Sequence, residues 1–457
     1  MTSPITPGLA GDLGRLLGEA DVLFGEAASA YAVDGMRPTL AVRPGTVEEL
    51  SAALRALHQA GAAVVVRGAG TFAEVGLPPR RYDAVLLTDR LAGITRYDPD
   101  DLTASVRAGT RFQDLQARLL PHRQWLALDP PGFGRATLGG VLATARAGPR
   151  RISCGAPRDK VLGMTAVLAD GTVHHAGGRV VKNVAGYDLH RLYTGSYGTL
   201  AVIAEAHVRL SAVPAAHRTL IHRAQTADEA GALIEKLLGA RLELGALALL
   251  DGECTRAADA RGGSLPWRVS TDERAWTVAA LVEGEPDMVE AHLETAAELA
   301  GAAKPTVLEG GYSETFWAAV SELGAPEGSS PAPDGRGRFR AMISVLPSDV
   351  TRLCARWKGG ALGAGLSVHV HAHAGAGHIH VRAVGNSHDA LAHAWDRVRA
   401  DLEGHEAAAQ LVDAPLPVKV RGPLWHGPAA PAELMRTFKT TFDPRGVLAP
   451  GRMPFDT

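Results

Sequence analysis

The 457-residue sequence has few cysteines and almost no net charge. Its three cysteines, Cys154, Cys254 and Cys354, lie far apart, and such a sparse, odd set excludes a disulfide framework and fits a reducing compartment. Lysine plus arginine number 47 against 49 aspartates plus glutamates, so the net charge of −2 gives no field that attracts nucleic acid or anionic lipid. We therefore expect no nucleic-acid partner.

Long apolar runs are also missing. No stretch reaches the roughly 18 uncharged apolar residues of a membrane span. The first twenty residues carry Pro4 and Pro7 and no basic cluster before an apolar run, which is not the pattern of a secretory signal. We expect a cytoplasmic protein without direct membrane insertion, whose association with a membrane would come through a complex.

The first 213 residues combine helical and strand patterns. Leucines at helical spacing behind Thr46 and Glu49, a capping-box pair, predict a helix at 46–60. We also predict strands at 62–67, 84–87 and 103–108, helices at 112–120 and 138–144, a hairpin at 161–177 that turns at Asp170-Gly171, and a closing strand within 199–213.

The second part predicts two strand-then-helix units, at 276–299 and at 340–357, with Ser348 as an N-cap. A histidine-rich hairpin at 366–383, a helix at 387–402 and a strand at 417–420 follow. This order favours an α+β cap with an antiparallel sheet, in which 324–338 is a loop. We divide the chain into an N-terminal extension (1–35), a first domain (36–213), the cap (214–431) and a C-terminal segment (432–457) that returns to the first domain.

A glycine loop follows the strand at 62–67. Gly68-Ala69-Gly70 with Ala73 matches G-x-G-x-x-A, the dinucleotide-binding pattern of a Rossmann fold, but that fold needs a helix directly at the loop. Gly76, Pro78 and Pro79 leave no room for one. The remaining interpretations are a loop that presents backbone N–H groups to a phosphate and a plain turn.

Two further segments favour the phosphate interpretation. DPPGFGRATLGG (129–140) enters a short helix whose start would offer unpaired N–H donors to a diphosphate. The third segment is KNVAGYDLHRLYTGSYGTLAVI (182–203).

In this order and spacing the three segments resemble the PCMH-type FAD-binding domain of the vanillyl-alcohol-oxidase family. The agreement extends over about 42–210, and FDPRGVLAPGR (442–452) resembles the closing motif of its hydroxy-acid-oxidising branch. DPPGFGRATLGG, GPRR, PRDKVLG and KNVAGYDL are most similar to the small FAD-binding subunit of bacterial glycolate oxidases. The resemblance implies an α+β protein: an FAD domain of two α/β subdomains plus the cap.

The resemblance also implies the FAD-binding residues. They are Arg67, Gly68, Ala69, Gly70 and Thr71 in the first loop, Asp129 and Pro130 along the flavin, Thr137, Leu138, Gly139, Gly140, Ala143 and Thr144 around the diphosphate and ring, Gly155 beside the flavin, and Val202 and Ile203 at the adenine. Ala69 and Ala201 replace glycines of the family pattern. Thr71 stands where members with a covalent flavin often have histidine, so non-covalent FAD is expected.

Oxidation of a 2-hydroxy acid needs a base and a cation beside the flavin. The histidine hairpin offers His373 and His380 as bases, and Arg340 and Arg382 on cap strands as cations for the carboxylate. The histidines could equally be structural or ligate a metal. The family has aspartate and asparagine where this chain has Ala376 and His378, so we assign no metal. Arg340 and Arg382 could also be solvated strand residues, and Lys182 and Tyr187 could orient the flavin or brace a loop.

The resemblance implies a small 2-hydroxy acid such as glycolate or D-lactate as substrate. It favours a flavin-carrying subunit that works with a larger flavoprotein subunit and an iron–sulfur subunit. The alternatives are a self-sufficient FAD-dependent 2-hydroxy-acid dehydrogenase and a non-catalytic assembly subunit that contains FAD. The chain has no cysteine cluster for an iron–sulfur centre, so electrons from its flavin would need another acceptor.

Overall fold

Two sheets organise the first part of the chain in the computed structural model, which describes residues 4–179, 186–261, 275–301, 306–327, 335–427 and 430–453. The strands are β1 (Val22–Phe24), β2 (Leu40–Val42), β3 (Val64–Arg67), β4 (Ala84–Leu87), β5 (Ile94–Asp98), β6 (Thr103–Arg107), β7 (Gln124–Trp125), β8 (Val161–Val167), β9 (Val173–Gly177), β10 (Val202–Arg209) and β11 (Ser211–Ala212). One sheet has the order β1-β2-β4-β3, with β2 and β3 parallel to β4. The other, β5-β6-β10-β8-β9, is antiparallel throughout.

The helices of this part are α1 (Pro7–Leu17), α2 (Val47–Gln59), α3 (Phe112–Leu119), α4 (Leu138–Thr144), α5 (Arg151–Cys154) and α6 (Leu189–Tyr193). The predicted helices, strands and hairpin at 46–60, 62–67, 84–87, 103–108, 112–120, 138–144 and 161–177 are thus present. Thr46 caps α2 by accepting a hydrogen bond from the Glu49 N–H at 3.1 Å. In a regular capping box the Glu49 carboxylate would accept from the Thr46 N–H. Here it accepts from the N–H of the preceding residue, Gly45.

The C-terminal segment packs into the first sheet. Val447 and Leu448 are buried in the same core as Leu50 and Leu54 of α2. The Val64 N–H donates to the Val447 carbonyl at 2.7 Å, and the Ala449 N–H donates to the Val64 carbonyl at 2.8 Å. The last described residues therefore extend the sheet that carries the first glycine loop.

The second part forms one antiparallel sheet, which within the described residues has nine strands. They are β12 (Ala216–Ala224), β13 (Leu244–Asp251), β14 (Trp276–Gly284), β15 (Thr306–Glu309), β16 (Gly337–Ser344), β17 (Ser367–His373), β18 (His378–Gly385), β19 (Ala408–Asp413) and β20 (Trp425–His426), in the order β15-β12-β14-β13-β17-β18-β16-β19-β20. The helices are α7 (Ala227–Gly239), α8 (Gly252–Arg261), α9 (Pro286–Leu299), α10 (Gly310–Leu323), α11 (Pro347–Arg356), α12 (His388–Asp401), α13 (Leu416–Lys419) and α14 (Ala430–Phe442).

Two local predictions in the cap are wrong. Residues 417–420 are not a strand: Pro417 lies in the first turn of the short helix α13, where its missing N–H costs no hydrogen bond. Ser348 is not an N-cap either, because α11 starts one residue earlier at Pro347, with Leu346 in the cap position. Residues 182–185 of the third segment and 328–334 of the predicted loop lie outside the described part of the chain.

The two faces of the cap sheet differ. Phe339, Ile343, Val370 and Ile379 point into a core that includes Leu353 of α11 and Trp395 of α12. On the opposite face, α8 and α10 cover the end of the sheet formed by β12–β14 through residues such as Ala258 and Trp317. The rest of that face is polar and turns toward the first domain, so it can line a site between the domains.

The three cysteines are free, as expected. Across the described ranges, no helix combines the length and the apolar character that a membrane crossing requires.

Candidate functional site

A cleft of about 970 Å³ opens along the carboxyl end of β3 and the start of α4. Most of the predicted FAD-binding residues line it: Arg67, Gly68, Ala69, Gly70, Thr71, Thr137, Gly139, Gly140, Ala143, Thr144 and Ile203. The first glycine loop and the TLGG helix, far apart in sequence, thus form two walls of one cavity.

The first loop has the features of a phosphate cradle. A Cβ at Gly68 would lie 2.2 Å from Thr137 Oγ1, so only glycine allows the two walls to meet. Gly70 has φ +78°, the left-handed region that favours glycine. Within the described chain, the backbone amides of Ala69, Gly70 and Thr71 donate to no other backbone carbonyl, and Thr71 Oγ1 is buried without a partner. These donors fit a bound diphosphate. No helix begins at the loop, which excludes the Rossmann interpretation.

The start of α4 does not offer the free donors that we expected. The N–H of Leu138 donates to the Thr110 carbonyl at 2.9 Å, that of Gly139 to the Ala108 carbonyl at 2.7 Å, and that of Gly140 to Thr137 Oγ1 at 3.2 Å. A Cβ at Gly139 would lie 2.6 Å from the Ala108 Cβ. The TLGG motif therefore serves close packing of α4 against the chain after β6, and it supplies wall surface rather than hydrogen bonds.

Five of the predicted FAD residues do not line the cleft: Asp129, Pro130, Leu138, Gly155 and Val202. Leu138 and Val202 are fully buried in the cores beneath it. Asp129 accepts hydrogen bonds from the N–H groups of Gly148 and Arg150, and desolvation raises its pKa to about 6. Gly155 has φ +78° and ends α5. Pro130 is buried, and its neighbour Pro131 reaches the cleft.

Several lining residues were not predicted from sequence: Phe72, Thr88, Arg146, Tyr197 and Arg452. Arg452 donates to the carbonyls of Ala73 and Val75 and so fixes the turn after the first loop. Tyr197 lies within the third segment and Arg452 within the closing motif, and both could have been included on that signal. Arg146 follows α4 in a loop that carries no motif of its own.

The polar part of the cap sheet faces this cleft. We call the polar face the surface formed by His369, His371, His373, His378, His380, Arg340, Met342, Arg382, Gln410 and Asp413, which strand register places on one side of β16–β19. The Tyr197 hydroxyl donates to Gln410 Oε1 at 2.9 Å across the domain boundary. Ser321, at the end of α10, donates to the Asp129 carbonyl at 2.7 Å.

Three imidazoles converge on the polar face. The rings of His371 and His380 stack with centroids 4.6 Å apart, and His373 lies 4.8 Å from His380. One ligand nitrogen from each of the three lies within 4.8 Å of the others, a group that could hold a metal ion. His371 Nε2, His380 Nε2 and both ring nitrogens of His373 have no hydrogen-bond partner. The group includes no carboxylate, and the assignment of no metal stays a prediction.

Burial keeps these imidazoles neutral. Desolvation lowers the pKa of His371 to about 3 and that of His378 to about 4. It also lowers the pKa of His373 and His380 well below the ordinary value, with neighbouring imidazoles adding to the effect. Neutral imidazole nitrogens without partners are free to accept a proton or a hydrogen bond.

A second cavity of about 800 Å³ lies against the polar face and is lined by His369, His371, His380, Arg340 and Arg382, among others. Three of the four predicted catalytic residues thus share it, whereas His373 is buried behind. Glu327 also lines this cavity and pairs with Arg340, with Arg338 at 3.2 Å and with Arg382 at 3.6 Å. Arg340 further donates to the Leu323 carbonyl at 2.8 Å. The guanidinium groups of Arg340 and Arg382 therefore already have partners within the protein.

Comparison with known proteins agrees with the two-part architecture. The family model "FAD binding domain" matches residues 38–177, and "FAD linked oxidases, C-terminal domain" matches residues 213–412.

Curated relatives include FAD-linked oxidoreductases and glycolate oxidase subunits. An uncharacterized FAD-linked oxidoreductase of Mycobacterium tuberculosis is 28% identical over 97% of this chain and 98% of its own. Glycolate oxidase subunit GlcD of Bacillus subtilis is 32% identical over 47% of this chain and 46% of its own, and subunit GlcE of Escherichia coli 39% over 34% and 45%. The chain thus spans about half the length of these two subunits.

Among solved structures, alkyldihydroxyacetonephosphate synthase aligns with a TM-score of 0.74 at 16% identity, over 98% of this chain and 86% of the other. A p-cresol methylhydroxylase with substrate bound aligns with a TM-score of 0.73 at 15% identity, over 98% and 97%. At these identities, both alignments show a similar fold and nothing about function.

Proposed function

The chain is a PCMH-type FAD-binding protein, an FAD-linked oxidoreductase related to glycolate oxidase subunits and D-lactate dehydrogenases, and from this premise we propose that it oxidises a small 2-hydroxy acid as a flavin-carrying subunit of a complex. The observation that carries the proposal is the juxtaposition of the FAD cleft with the polar face, since Tyr197 of the cleft bonds directly to Gln410 of that face. Flavin and proton acceptors would then lie on opposite sides of one substrate.

In the proposed assignment, Gly68 to Thr71 hold the diphosphate through backbone amides and the Thr71 hydroxyl, with Arg67 as the nearby cation. Ala143, Thr144 and Ile203 supply wall surface. Asp129, Leu138 and Val202 act one layer behind by bracing the loop and the two cores. Non-covalent FAD is part of the proposal, because Thr71 occupies the position at which a covalent histidine would stand.

Bound FAD would accept hydride from C2 of the substrate. His380 is our proposed base: its Nε2 has no partner, and the residue lines the cavity at the polar face. The neutral imidazole accepts the hydroxyl proton, which leaves a 2-oxo acid. His373 contacts His380 from behind and is proposed to keep its ring in place. His371 and His373 are almost fully buried beside His380.

Arg340 and Arg382 remain proposed carboxylate ligands with one condition. Glu327 already neutralises both, so a substrate carboxylate would have to displace that side chain. Arg340 is the better anchored of the two, because backbone carbonyls of Leu323 and Ala325 fix its guanidinium.

The proposed partners are a larger flavoprotein subunit and an iron–sulfur subunit. The three cysteines are free and far apart in sequence, so they offer no cluster site and electrons must leave to another carrier. The match to GlcE supports a subunit role. The self-sufficient dehydrogenase stays the alternative, since the chain also matches an FAD-linked oxidoreductase over nearly its whole length.

Anaerobic reduction of the flavin separates these functions. The purified FAD-loaded chain is mixed with glycolate or D-lactate, alone and with its co-purified partners, and the flavin absorbance is followed. Bleaching only with partners is the expected result. Bleaching of the lone chain would favour the self-sufficient dehydrogenase, and a flavin that substrate never reduces would contradict a catalytic role and leave the assembly subunit.

A further inference from the structure

Arg146 is a buried cation at the boundary between the FAD cleft and the polar face. Its side chain is 4% exposed, lines the cleft and lies over the Phe72 ring at 5.3 Å. It follows α4 directly, after Ala145 in the left-handed region at φ +51°. That turn directs the guanidinium away from the core and across the domain boundary.

The partners of Arg146 are all neutral. Its Nη2 donates to Gln410 Oε1 at 2.5 Å and to the Tyr197 hydroxyl at 3.0 Å, and its Nη1 lies 2.9 Å from Met342 Sδ. Its Nε is buried without a partner. In the described parts of the chain, no carboxylate lies within ion-pairing distance of Arg146, whereas Arg340 pairs with Glu327 and Arg150 with Glu283.

A buried guanidinium without a counter-ion is unfavourable unless an anion completes it. The cleft wall gives such an anion access, because Arg146 is a lining residue. Its neighbours Met342 and Gln410 are register partners on β16 and β19, and Met342 is also the register partner of His380. The charge therefore lies beside Met342, the register partner of the proposed base His380.

We propose that Arg146, positioned by its hydrogen bonds to the Tyr197 hydroxyl and to Gln410, binds the carboxylate of the 2-hydroxy acid; this deepens the proposed function and rests on it for the identity of the substrate. A carboxylate can take two parallel hydrogen bonds from one guanidinium. In this assignment Arg146 takes the place of Arg340 and Arg382 as carboxylate ligand, since Glu327 already pairs with those two.

The test uses oxalate, a carboxylate with no hydrogen to lose, so binding is measured without turnover. Oxalate is titrated onto the FAD-loaded chain, and the flavin difference spectrum gives Kd for wild type, Arg146→Gln and Arg146→Lys. Loss of a charge-assisted pair should raise Kd about 30-fold in the glutamine variant and about fivefold in the lysine variant. The FAD Kd should stay within about threefold, since Arg146 donates to Met342, Tyr197 and Gln410 rather than to the Gly68–Thr71 loop.

Arg150→Gln is the matched control, because that side chain also links the two domains, pairs with Glu283 at 3.3 Å and does not line the cleft. Its oxalate Kd should equal that of wild type. An equal rise of the oxalate Kd in Arg150→Gln would mean that Arg146 only holds the two domains together. Loss of FAD from Arg146→Gln would mean that this guanidinium binds the phosphates of the cofactor. Either result overturns the proposal, as does wild type that binds no oxalate.

The two proposals fail differently. If oxalate binding depends on Arg146 while neither glycolate nor D-lactate bleaches the flavin, the proposed function falls and the carboxylate site stands. If substrate bleaches the flavin but Arg146→Gln binds oxalate as wild type does, only the carboxylate site falls. The lysine variant keeps the charge, so it decides the question should the glutamine variant not fold.

Discussion

At the scale of single residues, the first glycine loop requires glycine at position 68, because a side chain there would overlap a neighbouring residue. A Cβ at Gly68 would lie 2.2 Å from Thr137 Oγ1, whereas a Cβ at Gly239 would meet nothing within 4 Å. Thr137 is the N-cap of α4, so a displaced Thr137 would also loosen the second wall of the cleft.

We predict that Gly68→Ala raises the Kd for FAD at least about tenfold, equivalent to roughly 1.4 kcal/mol. The matched Gly239→Ala substitution should leave it unchanged. Fluorescence quenching of FAD titrated onto each apo protein measures both values. Wild-type affinity in Gly68→Ala would show that the loop does not approach the cofactor.

Glu327 forms ion pairs with three arginines of the cap. Its carboxylate faces Arg338, Arg340 and Arg382, and the side chain is about a third exposed, so solvent screens part of the interaction. Burial lowers the pKa of the Arg340 guanidinium to about 10.

Glu327→Gln should lower the free energy of unfolding by about 1–3 kcal/mol, because it removes the carboxylate that pairs with Arg340 and Arg382. Glu298→Gln, at an exposed position of α9, should change it by less than about 0.5 kcal/mol. Urea unfolding of both variants gives the difference. Equal stability of the two would mean that the arginines are compensated elsewhere.

At the scale of elements, the strand register of β17 and β18 concentrates buried histidines. In the folded chain the pKa is about 3 for His371 and about 4 for His378, below the ordinary value of histidine. Between these values and the ordinary pKa, the two side chains are protonated in the unfolded chain and neutral in the folded chain. Stability is therefore fully present above about pH 6.5 and falls as pH drops toward these values. Asp129 and Asp413 act in the opposite sense, since burial raises their pKa to about 6.

The double variant His371→Gln/His378→Gln should lose less stability than wild type between pH 7.5 and pH 5, by about 1–2 kcal/mol for each histidine replaced. Urea unfolding at both pH values, with EDTA to remove metal, measures this. The exposed His388→Gln should behave as wild type. A double variant with the wild-type pH dependence would contradict neutral buried imidazoles.

Several elements with strong local signals were predicted from sequence, although α7, which begins behind the N-cap Thr226, was not. Thr46 before the leucines of α2, and Asp170-Gly171 between β8 and β9, mark their elements through side-chain chemistry that needs no tertiary context. The alanine-rich strand β19 and the short helix α13 were not found. Alanine has weak strand preference, and the Pro417 pattern fits a helix start as well as an extended segment.

The site was predictable only in part, for the same reason. Motifs identified the glycine loops because backbone geometry demands their residues. Arg146 and Glu327 were missed because their roles arise from contacts across 264 positions to Gln410 and from pairing with three separate arginines. No local pattern encodes such contacts.

At the scale of the whole molecule, the C-terminal segment completes the FAD domain. Lys439 is buried and donates to Asp443 Oδ2 and to the carbonyls of Thr199 and Leu448, which ties α14 to the chain before β10. Arg452 then reaches the cleft itself. The last described residues thus brace both walls.

Truncation after Phe442 should abolish FAD retention, because it removes the strand-like pairing of Leu448 with Val64 together with Arg452. A chain ended after Met453 should retain FAD. The absorbance ratio of flavin to protein after gel filtration measures both. Full flavin content in the shorter chain would refute the bracing role of the tail.

The central claim is that the cleft between β3 and α4 holds one FAD. Titration of FAD onto the apo chain, followed by the quenching of flavin fluorescence, tests it most directly. The account predicts saturation at one equivalent per chain, with a yellow chromophore that remains after gel filtration. A titration without saturable quenching and a colourless protein would contradict it.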